Sequence, residues 1–361
     1  MRILAVLTIL GVLAFTVILG QLALAFEQEL YPGERELFEL AKKEGIVVSY
    51  DTGPTWANWA ALFKKFTQRY DIEIVYNDLG SGATVVRLEK EKNRPNADTA
   101  YYFMPFGAIA KEKGLTEGFK PVNFEKIPDL LKDPEGHWFS IHKGTVVFAV
   151  NKKLVKRVPE GWKDLLEPDF RKSITYLDPR TTGIGYAIVL ATAHAFGGNL
   201  DNLMPGITYL AELQKRGNIR MIEKTTEYDK FVKGEIPVWI TYDFNAYRAK
   251  YIGGLGDDVA IVIPKEGTIT APYAISLVKG APHPNAAKLW LNFIMSTEGQ
   301  LTFAEGFVRP ILDDVTMPEE IAQKFLPAEE YAKAIDIDWV KAQKVQAEAA
   351  KLWGKHVLGE E

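Results

Sequence analysis

The feature that most constrains the fold is a repeated pattern of a short apolar strand, a glycine-containing turn and a helix. In residues 72–84 an apolar run breaks into the turn Gly80-Ser81-Gly82, and a helical pattern follows. Earlier in the chain, the apolar residues 46–50 lead through a turn at residues 51–55 into an amphipathic helix over residues 56–70. Such alternation predicts an α/β protein in which successive strands lie side by side in one sheet.

The Gly80-Ser81-Gly82 turn is a candidate anion site. Glycines allow a ligand to approach the backbone closely, the Ser81 hydroxyl adds a donor, and the following helix begins with the positive end of its dipole. A turn of similar composition follows another apparent strand at residues 178–185. Together the two turns would offer donors to a phosphate, a phosphonate or a carboxylate. The alternative is that their serine and threonine side chains only cap helices.

Further candidates lie at other strand ends. Arg180 and Arg248 each carry a planar guanidinium that suits an anion, although a nearby aspartate would also pair with each of them. Asp243 would hold an ammonium group or a metal ion, which makes a zwitterion or a polyamine a further candidate ligand. The predicted ligand-binding residues are Thr52, Trp56, Ser81, Gly82, Ala83, Tyr101, Tyr102, Arg180, Thr181, Thr182, Gly183, Tyr242, Asp243, Asn245, Arg248 and Tyr273.

Residues 1–25 have the pattern of a secretory signal peptide. Arg2 precedes a long apolar run, and the segment ends in the small residues Ala23-Leu24-Ala25, so cleavage would leave a chain that begins at Phe26. The alternative is an uncleaved membrane anchor, which would suit a sensor or scaffold. N-terminal sequencing of the secreted protein distinguishes the two. The sequence thus predicts a periplasmic or secreted protein that is associated with the cell surface.

Composition narrows the class of protein. The chain has no cysteine, so neither a disulfide nor a lipid-modified N-terminal cysteine is possible. Its formal charge is −4, and loss of Arg2 with the signal peptide makes it more negative, which argues against a nucleic-acid partner. With 361 residues, 47% of them apolar, the chain is long enough for two lobes and is not expected to be disordered.

Several blocks along the chain together point to one family. They are Gly80-Ser81-Gly82, Pro95-Asn96-Ala97-Asp98, residues 145–153, Gly161-Trp162-Lys163-Asp164-Leu165, residues 178–185, Gly234-Glu235-Ile236-Pro237-Val238 and residues 280–300. The last block is the most specific of them. In combination they resemble the periplasmic solute-binding proteins of ABC importers, in the family that includes ferric-iron-binding and sugar-phosphate-binding members.

The resemblance implies a type II periplasmic-binding-protein fold of the α/β class. Each of two lobes would be a mixed sheet flanked by helices, two β-crossovers would join the lobes, and hinge closure would enclose the ligand. We assign residues 26–142 and 272–310 to lobe 1, and residues 143–271 and 311–361 to lobe 2. The implied function is that of a monomer that captures a small anionic or zwitterionic solute and delivers it to a membrane permease.

Two other functions stay open. In iron-binding relatives an adjacent tyrosine pair near the second crossover binds ferric iron, but here Phe244 and Asn245 occupy that place, which leaves Tyr242, Asp243 and Tyr247 as candidate cation ligands. The histidines lack metal-ligand spacing, so we expect no metal site and no cofactor. A secreted enzyme is the alternative of another class. Since no nucleophile elbow, Walker loop, Rossmann fingerprint or His-Glu-x-x-His helix occurs, we expect no enzyme.

Overall fold

The computed structural model describes residues 28–224 and 227–360. The predicted signal peptide therefore lies outside the described residues. None of the helices in the described part of the chain combines the length and the apolar character that crossing a bilayer requires.

Twelve strands are described, and eight of them form one continuous path in the order β2-β1-β3-β10-β5-β8-β6-β7. The strands are β1 (Ile46–Tyr50), β2 (Glu73–Asn77), β3 (Thr99–Phe103), β4 (Thr116–Glu117), β5 (Phe139–Asn151), β6 (Ile174–Leu177), β7 (Ile219–Glu223), β8 (Val238–Tyr242), β9 (Val259–Val262), β10 (Thr268–Val278), β11 (Arg309–Pro310) and β12 (Ala334–Ile335).

The described helices flank this sheet. They are α1 (Glu34–Ala41), α2 (Trp59–Tyr70), α3 (Ser81–Glu91), α4 (Met104–Glu112), α5 (Gly183–Ala195), α6 (Met204–Lys215), α7 (Tyr228–Val232), α8 (Asp243–Tyr251), α9 (Pro284–Met295), α10 (Thr297–Glu305), α11 (Glu319–Ala322), α12 (Ala328–Tyr331) and α13 (Trp339–Trp353). Short 3₁₀ turns and a π-turn at Gly354–Leu358 complete the structure.

Two long strands, β5 and β10, pass through the middle of the molecule. Phe139 and the residues after it in β5 pair with β10 in antiparallel fashion, whereas Val146 and the residues after it pair with β8 and β9. The Thr145 and Thr270 hydroxyls lie 2.9 Å apart where the two strands change partners. We call the part that contains β1, β2 and β3 the first lobe, and the part that contains β6, β7, β8 and β9 the second lobe.

Within each lobe, strands pair in parallel where a helix connects them. β1 lies between β2 and β3, parallel to both, and β6 lies parallel to β7 and β8. Parallel strands need a crossover connection, and the strand–turn–helix pattern of the sequence supplies it. The α/β class and the two predicted crossovers are confirmed. The exact lobe boundaries at residues 142/143 and 271/272, which fall inside β5 and β10, stay a prediction.

Aromatic rings form much of the core of the first lobe. The buried rings of Trp59 and Phe66, on one face of α2, meet those of Trp290 and Phe293 on α9. The centroids of Phe66 and Trp290 are 4.9 Å apart in an edge-to-face arrangement. Such pairs add about 0.5–1.5 kcal/mol to the effect of burial, so this cluster fixes α2 and the turn that precedes it.

The C-terminal helix α13 contacts both lobes. Trp339, at its start, packs edge-to-face on Phe103 at the end of β3. The Tyr186 hydroxyl of α5 donates to the carbonyl of Ala342, and Trp353 Nε1 donates to the Tyr176 hydroxyl of β6 at 3.2 Å. The helix therefore lies across the line where the lobes meet, on the side where β3, β6 and α5 come together.

Candidate ligand-binding site

A cavity of about 40 Å³ lies where the two lobes meet, between the start of α3 and the start of α5. Its lining residues are Asp51, Trp56, Asp78, Leu79, Gly80, Ser81, Leu177, Thr182, Gly183, Ile184, Lys224 and Tyr273. Most of them lie at or just after the end of a strand or within one residue of the start of a helix. The cavity is therefore at the carboxyl ends of the strands, which is the edge where open α/β sheets bind ligands.

The first-lobe wall carries two carboxylates, those of Asp51 and Asp78. β1 and β2 pair in parallel with Tyr50 opposite Asn77, so the residue after each strand emerges at the same edge of the sheet. The Asp51 N–H donates to the Asn77 carbonyl at 2.8 Å, and Asp51 has a left-handed φ of 62°. This turn directs both acids into the cavity wall.

Ser81, the first residue of α3, is buried beside Asp51. Its Oγ accepts the Phe103 N–H at 3.0 Å and lies 3.5 Å from Asp51 Oδ2. The hydroxyl proton is thus directed at the carboxylate. The first backbone N–H groups of α3 have no acceptor within the helix, and those of Ser81 and Ala83 are the donors that it can offer to an anion, because the Gly82 N–H donates to the Thr181 carbonyl.

The two acids have unusual electrostatics. Burial raises the pKa of Asp51 well above its ordinary value, the neighbouring charge of Asp78 raises it further, and hydrogen bonds from Ser81 and the Leu79 N–H oppose the rise. Burial also raises the pKa of Asp78. Asp51 is buried, whereas Asp78 as a whole residue is exposed, and a second charge beside a buried carboxylate disfavours the doubly charged state, so this wall favours a proton or a cation next to it.

The second-lobe wall is built around the start of α5. Thr182 Oγ1 accepts the Gly185 N–H at 3.1 Å and donates to the Asp178 carbonyl at 2.7 Å, which caps the helix. The first N–H groups of the helix and the positive end of its dipole face the cavity at Gly183. Lys224, which follows β7, adds a positive charge to the same lobe. This wall therefore favours an anion.

Glycines, which have no side chain, let the backbones of the two lobes come into direct contact. A Cβ on Gly183 would lie 2.4 Å from the Phe103 Cβ, and one on Gly80 would lie 2.3 Å from the Thr181 carbonyl oxygen. Between these points the Gly82 N–H donates to the same Thr181 oxygen at 3.2 Å. Any side chain at Gly80 or Gly183 would hold the lobes apart.

Aromatic side chains form the back of the cavity. Trp56 Nε1 donates to the Tyr101 hydroxyl at 2.9 Å, and that hydroxyl lies 2.7 Å from His142 Nε2. Burial lowers the pKa of His142 to about 3, so its ring is neutral at physiological pH. Tyr273 stacks on the His142 ring with centroids 5.5 Å apart. These contacts hold Trp56 and Tyr273 rigidly against the cavity.

The predicted ligand-binding residues fall into three groups. The first group lines the cavity and consists of Trp56, Ser81, Thr182, Gly183 and Tyr273. The second group lines a shallow depression next to the cavity, together with Arg87 and Lys90, and consists of Gly82, Ala83, Arg180 and Thr181. The third group lines neither and consists of Thr52, Tyr101, Tyr102, Tyr242, Asp243, Asn245 and Arg248. That any of them contacts the ligand stays a prediction.

Arg180 is held by two acids. Its Nη2 and Nε lie 2.6 and 3.0 Å from oxygens of Asp178, and its Nη1 lies 2.5 Å from Glu360. The guanidinium also covers the Trp353 ring, 5.1 Å from the ring centroid. In this structure Arg180 therefore joins the end of β6 to the C-terminal segment.

Asp243 is the centre of a second structural network. Its carboxylate accepts the N–H groups of Thr145 at 2.9 Å and Phe244 at 3.0 Å, and the Tyr331 hydroxyl at 3.2 Å. Arg309 Nη2 lies 3.3 Å away. Burial raises the pKa of Asp243, while Arg309 and the hydrogen bonds lower it. The network ties α8 to the crossover strand β5.

The remaining predicted residues bind to other parts of the protein. Hydrogen bonds run from Thr52 to the Ser49 carbonyl at 3.2 Å, from Tyr102 to Ser276 Oγ at 2.5 Å, from Asn245 to Thr241 Oγ1 at 3.0 Å and from Arg248 to the Thr55 carbonyl. The fully buried Tyr242 ring meets Tyr273 edge-to-face, so it supports the cavity wall from behind. The Arg248 contact joins the two lobes beside Trp56.

Sequence reasoning missed three charged residues of the cavity, Asp51, Asp78 and Lys224. All three directly follow strands of the sheet, at the same edge as the residues that were chosen. The rule that ligands bind at this edge could have found them. They were passed over because the Gly-Ser-Gly and Thr-Thr-Gly turns carry a stronger motif.

In the described part of the chain, no three or more His, Cys, Asp or Glu residues come together in a way that could hold a metal ion. Tyr247, a candidate cation ligand, has its hydroxyl 2.9 Å from that of Tyr331, and it accepts the Leu326 N–H at 2.7 Å. The charges and aromatic faces around the cavity suit a small organic ion.

Comparison with known proteins identifies the family. Residues 95–345 match the family described as bacterial extracellular solute-binding protein. An uncharacterized protein of Haemophilus influenzae is 31% identical over 269 residues, which cover 70% of this chain and 74% of that protein. A Salmonella typhimurium protein named putative 2-aminoethylphosphonate-binding periplasmic protein is 30% identical over 278 residues, which cover 75% and 78%.

Solved structures agree with the fold. The periplasmic binding protein AfuA from Actinobacillus pleuropneumoniae, with fructose-6-phosphate bound, superposes with a TM-score of 0.75 at 26% identity, covering 87% of this chain and 99% of that one. A ferric binding protein from Campylobacter jejuni superposes with a TM-score of 0.67 at 19% identity, covering 86% and 99%. The predicted type II periplasmic-binding-protein fold and the resemblance to ABC-importer components are both confirmed. The chain belongs to the bacterial extracellular solute-binding proteins, the components that capture solutes for ABC importers.

Proposed function

We propose that the protein captures a small organic solute that carries a phosphonate or phosphate group and delivers it to the permease of an ABC importer. The observation that carries this proposal is the convergence of the starts of α3 and α5, from opposite lobes, on one cavity beside Lys224. A helix start binds phosphate-like anions well because its free N–H groups and its dipole both face the ligand. Two such starts around one cavity favour an anion that both lobes share.

This arrangement links binding to lobe closure. An anion that contacts only one lobe binds the open and closed states similarly, whereas an anion held by both helix starts binds the closed state more tightly. That difference in affinity is what drives a conformational change. The closely fitting glycines at the lobe contact permit the closure.

The relatives support this class of ligand. Salmonella relatives are named for binding 2-aminoethylphosphonate, and AfuA was solved with a sugar phosphate. Ferric iron and polyamines are the alternative ligands, and the acids of the first-lobe wall would favour a cation. We further propose that the protein is monomeric, is not an enzyme, acts in the periplasm or at the cell surface and does not bind nucleic acid.

A thermal-shift screen tests the proposal. The purified protein is melted in the presence of 2-aminoethylphosphonate, ethylphosphonate, fructose 6-phosphate, inorganic phosphate, ferric citrate or spermidine. A ligand at a hundred times its dissociation constant stabilises the native state by about 2.7 kcal/mol, which raises the melting temperature by several degrees. We expect shifts with phosphorus-containing ligands. Shifts confined to ferric citrate or spermidine would contradict the proposal.

Lys224→Gln sharpens this test. Because a hydrogen bond to a charged group contributes about 1.5 kcal/mol or more, the variant should bind the anion about tenfold more weakly. Lys215→Gln, an exposed change at the end of α6, is the matched control and should leave the affinity unchanged. Equal affinities of the two variants would exclude Lys224 from the anion site.

A further inference from the structure

We propose that Asp51 and Asp78 form an ammonium-binding subsite, so that the transported solute is a short zwitterion with its amine in the first lobe and its anion in the second. This inference rests on the proposed function, since it assumes that the anionic group lies at the helix starts. The relatives' names suggest an amine on the ligand but assign no residue to it.

The position of the two carboxylates is the first observation. Both residues line the cavity, and the pairing of β1 with β2 brings them to one edge of the sheet. Asp78 packs against the backbone of Gly53, where an added Cβ would lie 2.4 Å from the Asp78 Cγ. Gly53 thus lets the Asp78 carboxylate lie within the turn that follows β1, next to Asp51.

The lack of a partner cation is the second observation. Across residues 28–224 and 227–360, neither Asp51 nor Asp78 forms an ion pair within 4 Å. Lys224 is the cationic side chain among the described lining residues, and it extends from the second lobe. The first-lobe wall therefore holds two acids that repel each other, and a cation from outside the protein would relieve the repulsion.

The kind of cation follows from the other groups of the wall. A metal ion such as Ca²⁺ takes six or more oxygen ligands, and Mg²⁺ takes octahedral coordination, which two carboxylates do not provide. A primary ammonium has three N–H donors, which two carboxylates and one further oxygen would satisfy. Ser81 Oγ, 3.5 Å from Asp51 Oδ2, would be that oxygen, and the rings of Trp56 and Tyr273, which line the same cavity, would provide cation–π surfaces.

The size of the cavity restricts the solute. The acids and the start of α5 share one cavity of about 40 Å³. The amine and the anion must therefore be separated by only a few atoms. An amine joined by a two- or three-carbon linker to a phosphonate, phosphate or carboxylate fits this requirement.

Isothermal titration calorimetry at neutral pH tests the inference. The probes are 2-aminoethylphosphonate, ethylphosphonate, which lacks the amine, and ethylamine, which lacks the anion. The wild-type protein should bind the aminophosphonate at least about tenfold more tightly than ethylphosphonate, as expected for one charged hydrogen bond or more. Asp51→Asn and Asp78→Asn should remove this preference, and they should leave the affinity for ethylphosphonate equal or higher. Asp257→Asn, an exposed position, is the control and should keep the preference.

Each of the other outcomes contradicts either the ammonium subsite, the proposed function or both. Equal binding of the two phosphonates by the wild type, or a preference that survives in both Asn variants, would overturn the ammonium subsite while the anion site stands. Binding of ethylamine alone, lost in Asp51→Asn, would refute the proposed function and keep the amine subsite. Absence of binding by all three probes would overturn both. Circular dichroism spectra of each variant exclude misfolding as the cause.

Discussion

Four aspartates directly follow strands of the eight-strand path of the sheet, and their surroundings differ. Asp178 and Asp243 are held by Arg180 and Arg309 respectively, whereas the described residues give Asp51 and Asp78 no ion pair within 4 Å. All four occupy the same kind of position, directly after a strand. A strand-end acid thus serves the fold where an arginine reaches it, and we propose that it serves the ligand where none does.

The two kinds of acid should affect stability in opposite directions. A paired and hydrogen-bonded buried acid contributes to folding, and removing it leaves its partners without an acceptor. Two unpaired acids that face each other cost the native state free energy. A binding site commonly retains such a cost because the ligand relieves it.

The largest change in stability is expected when Asp243 is replaced. Asp243→Ala leaves the Thr145 and Phe244 N–H groups and the Arg309 guanidinium without their acceptor, which should lower the free energy of unfolding by about 3 kcal/mol. Urea denaturation measures this loss. Asp243→Asn keeps one acceptor oxygen and should lose less stability than Asp243→Ala. A stable Asp243→Ala protein with altered ligand preference would instead place Asp243 in the binding site, as its position in the sequence predicts.

Asp51→Asn should have a smaller effect of the opposite sign. Burial and Asp78 raise the native pKa of Asp51 above its unfolded value, so the native state loses stability as the pH rises from the unfolded pKa through the native one. Each pKa unit corresponds to about 1.4 kcal/mol, so the variant should melt a few degrees higher at neutral pH without added solute.

The pH profile separates this effect from a general gain in stability. Asp78, the Ser81 hydroxyl and the Leu79 N–H interact with the Asp51 carboxylate, and Lys224 lines the cavity from the second lobe. The advantage of Asp51→Asn over the wild type should disappear in acid, where the wild-type carboxylate is protonated. Scanning calorimetry from acidic to neutral pH measures the difference in melting temperature between the variant and the wild type. An advantage of equal size at every pH would show that the Asp51 charge is not its cause.

The smallest effect is expected for Arg180. Its side chain is about one third exposed, and in Arg180→Gln the buried Asp178 carboxylate keeps the backbone N–H of residue 180 as a donor but loses its cation, so the loss should be about 1–2 kcal/mol. Arg216→Gln, which breaks a surface pair with Glu212, is the control. Ligand affinity, measured by calorimetry, should not change. A tenfold loss of affinity for the phosphonate would show that Arg180 leaves Asp178 to contact the anion.

Local sequence patterns predict much of the fold. The apolar runs and glycine turns predict the strands and helix starts around Ser81 and Gly183, because strand, turn and helix preferences all agree there. The helix predicted over residues 56–70 begins only at Trp59. Ala57 and Asn58 have left-handed φ values of 41° and 59°, and the Asn58 side chain donates to the distant Thr302 carbonyl.

The candidate site is less predictable from the sequence. The choice between a structural and an available acid depends on partners such as Arg309, which is far from Asp243 in the chain. The opposition of Asp51 and Asp78 depends on the register of β1 against β2 and on the bare backbone of Gly53. Neither the ion pairing nor the strand register can be recognised from the residues next to these acids in the sequence. The turns could therefore be predicted as parts of the site, but the charged residues around them could not.

The hydrogen bond from Gly82 to Thr181 has a consequence for kinetics. It crosses between the lobes beside the cavity, so it stabilises the arrangement in which both lobes contact a solute. Changes at this contact should therefore alter the off-rate of the solute more than the on-rate. For a transport component this is useful, because a permease that pulls the lobes apart would set the moment of release.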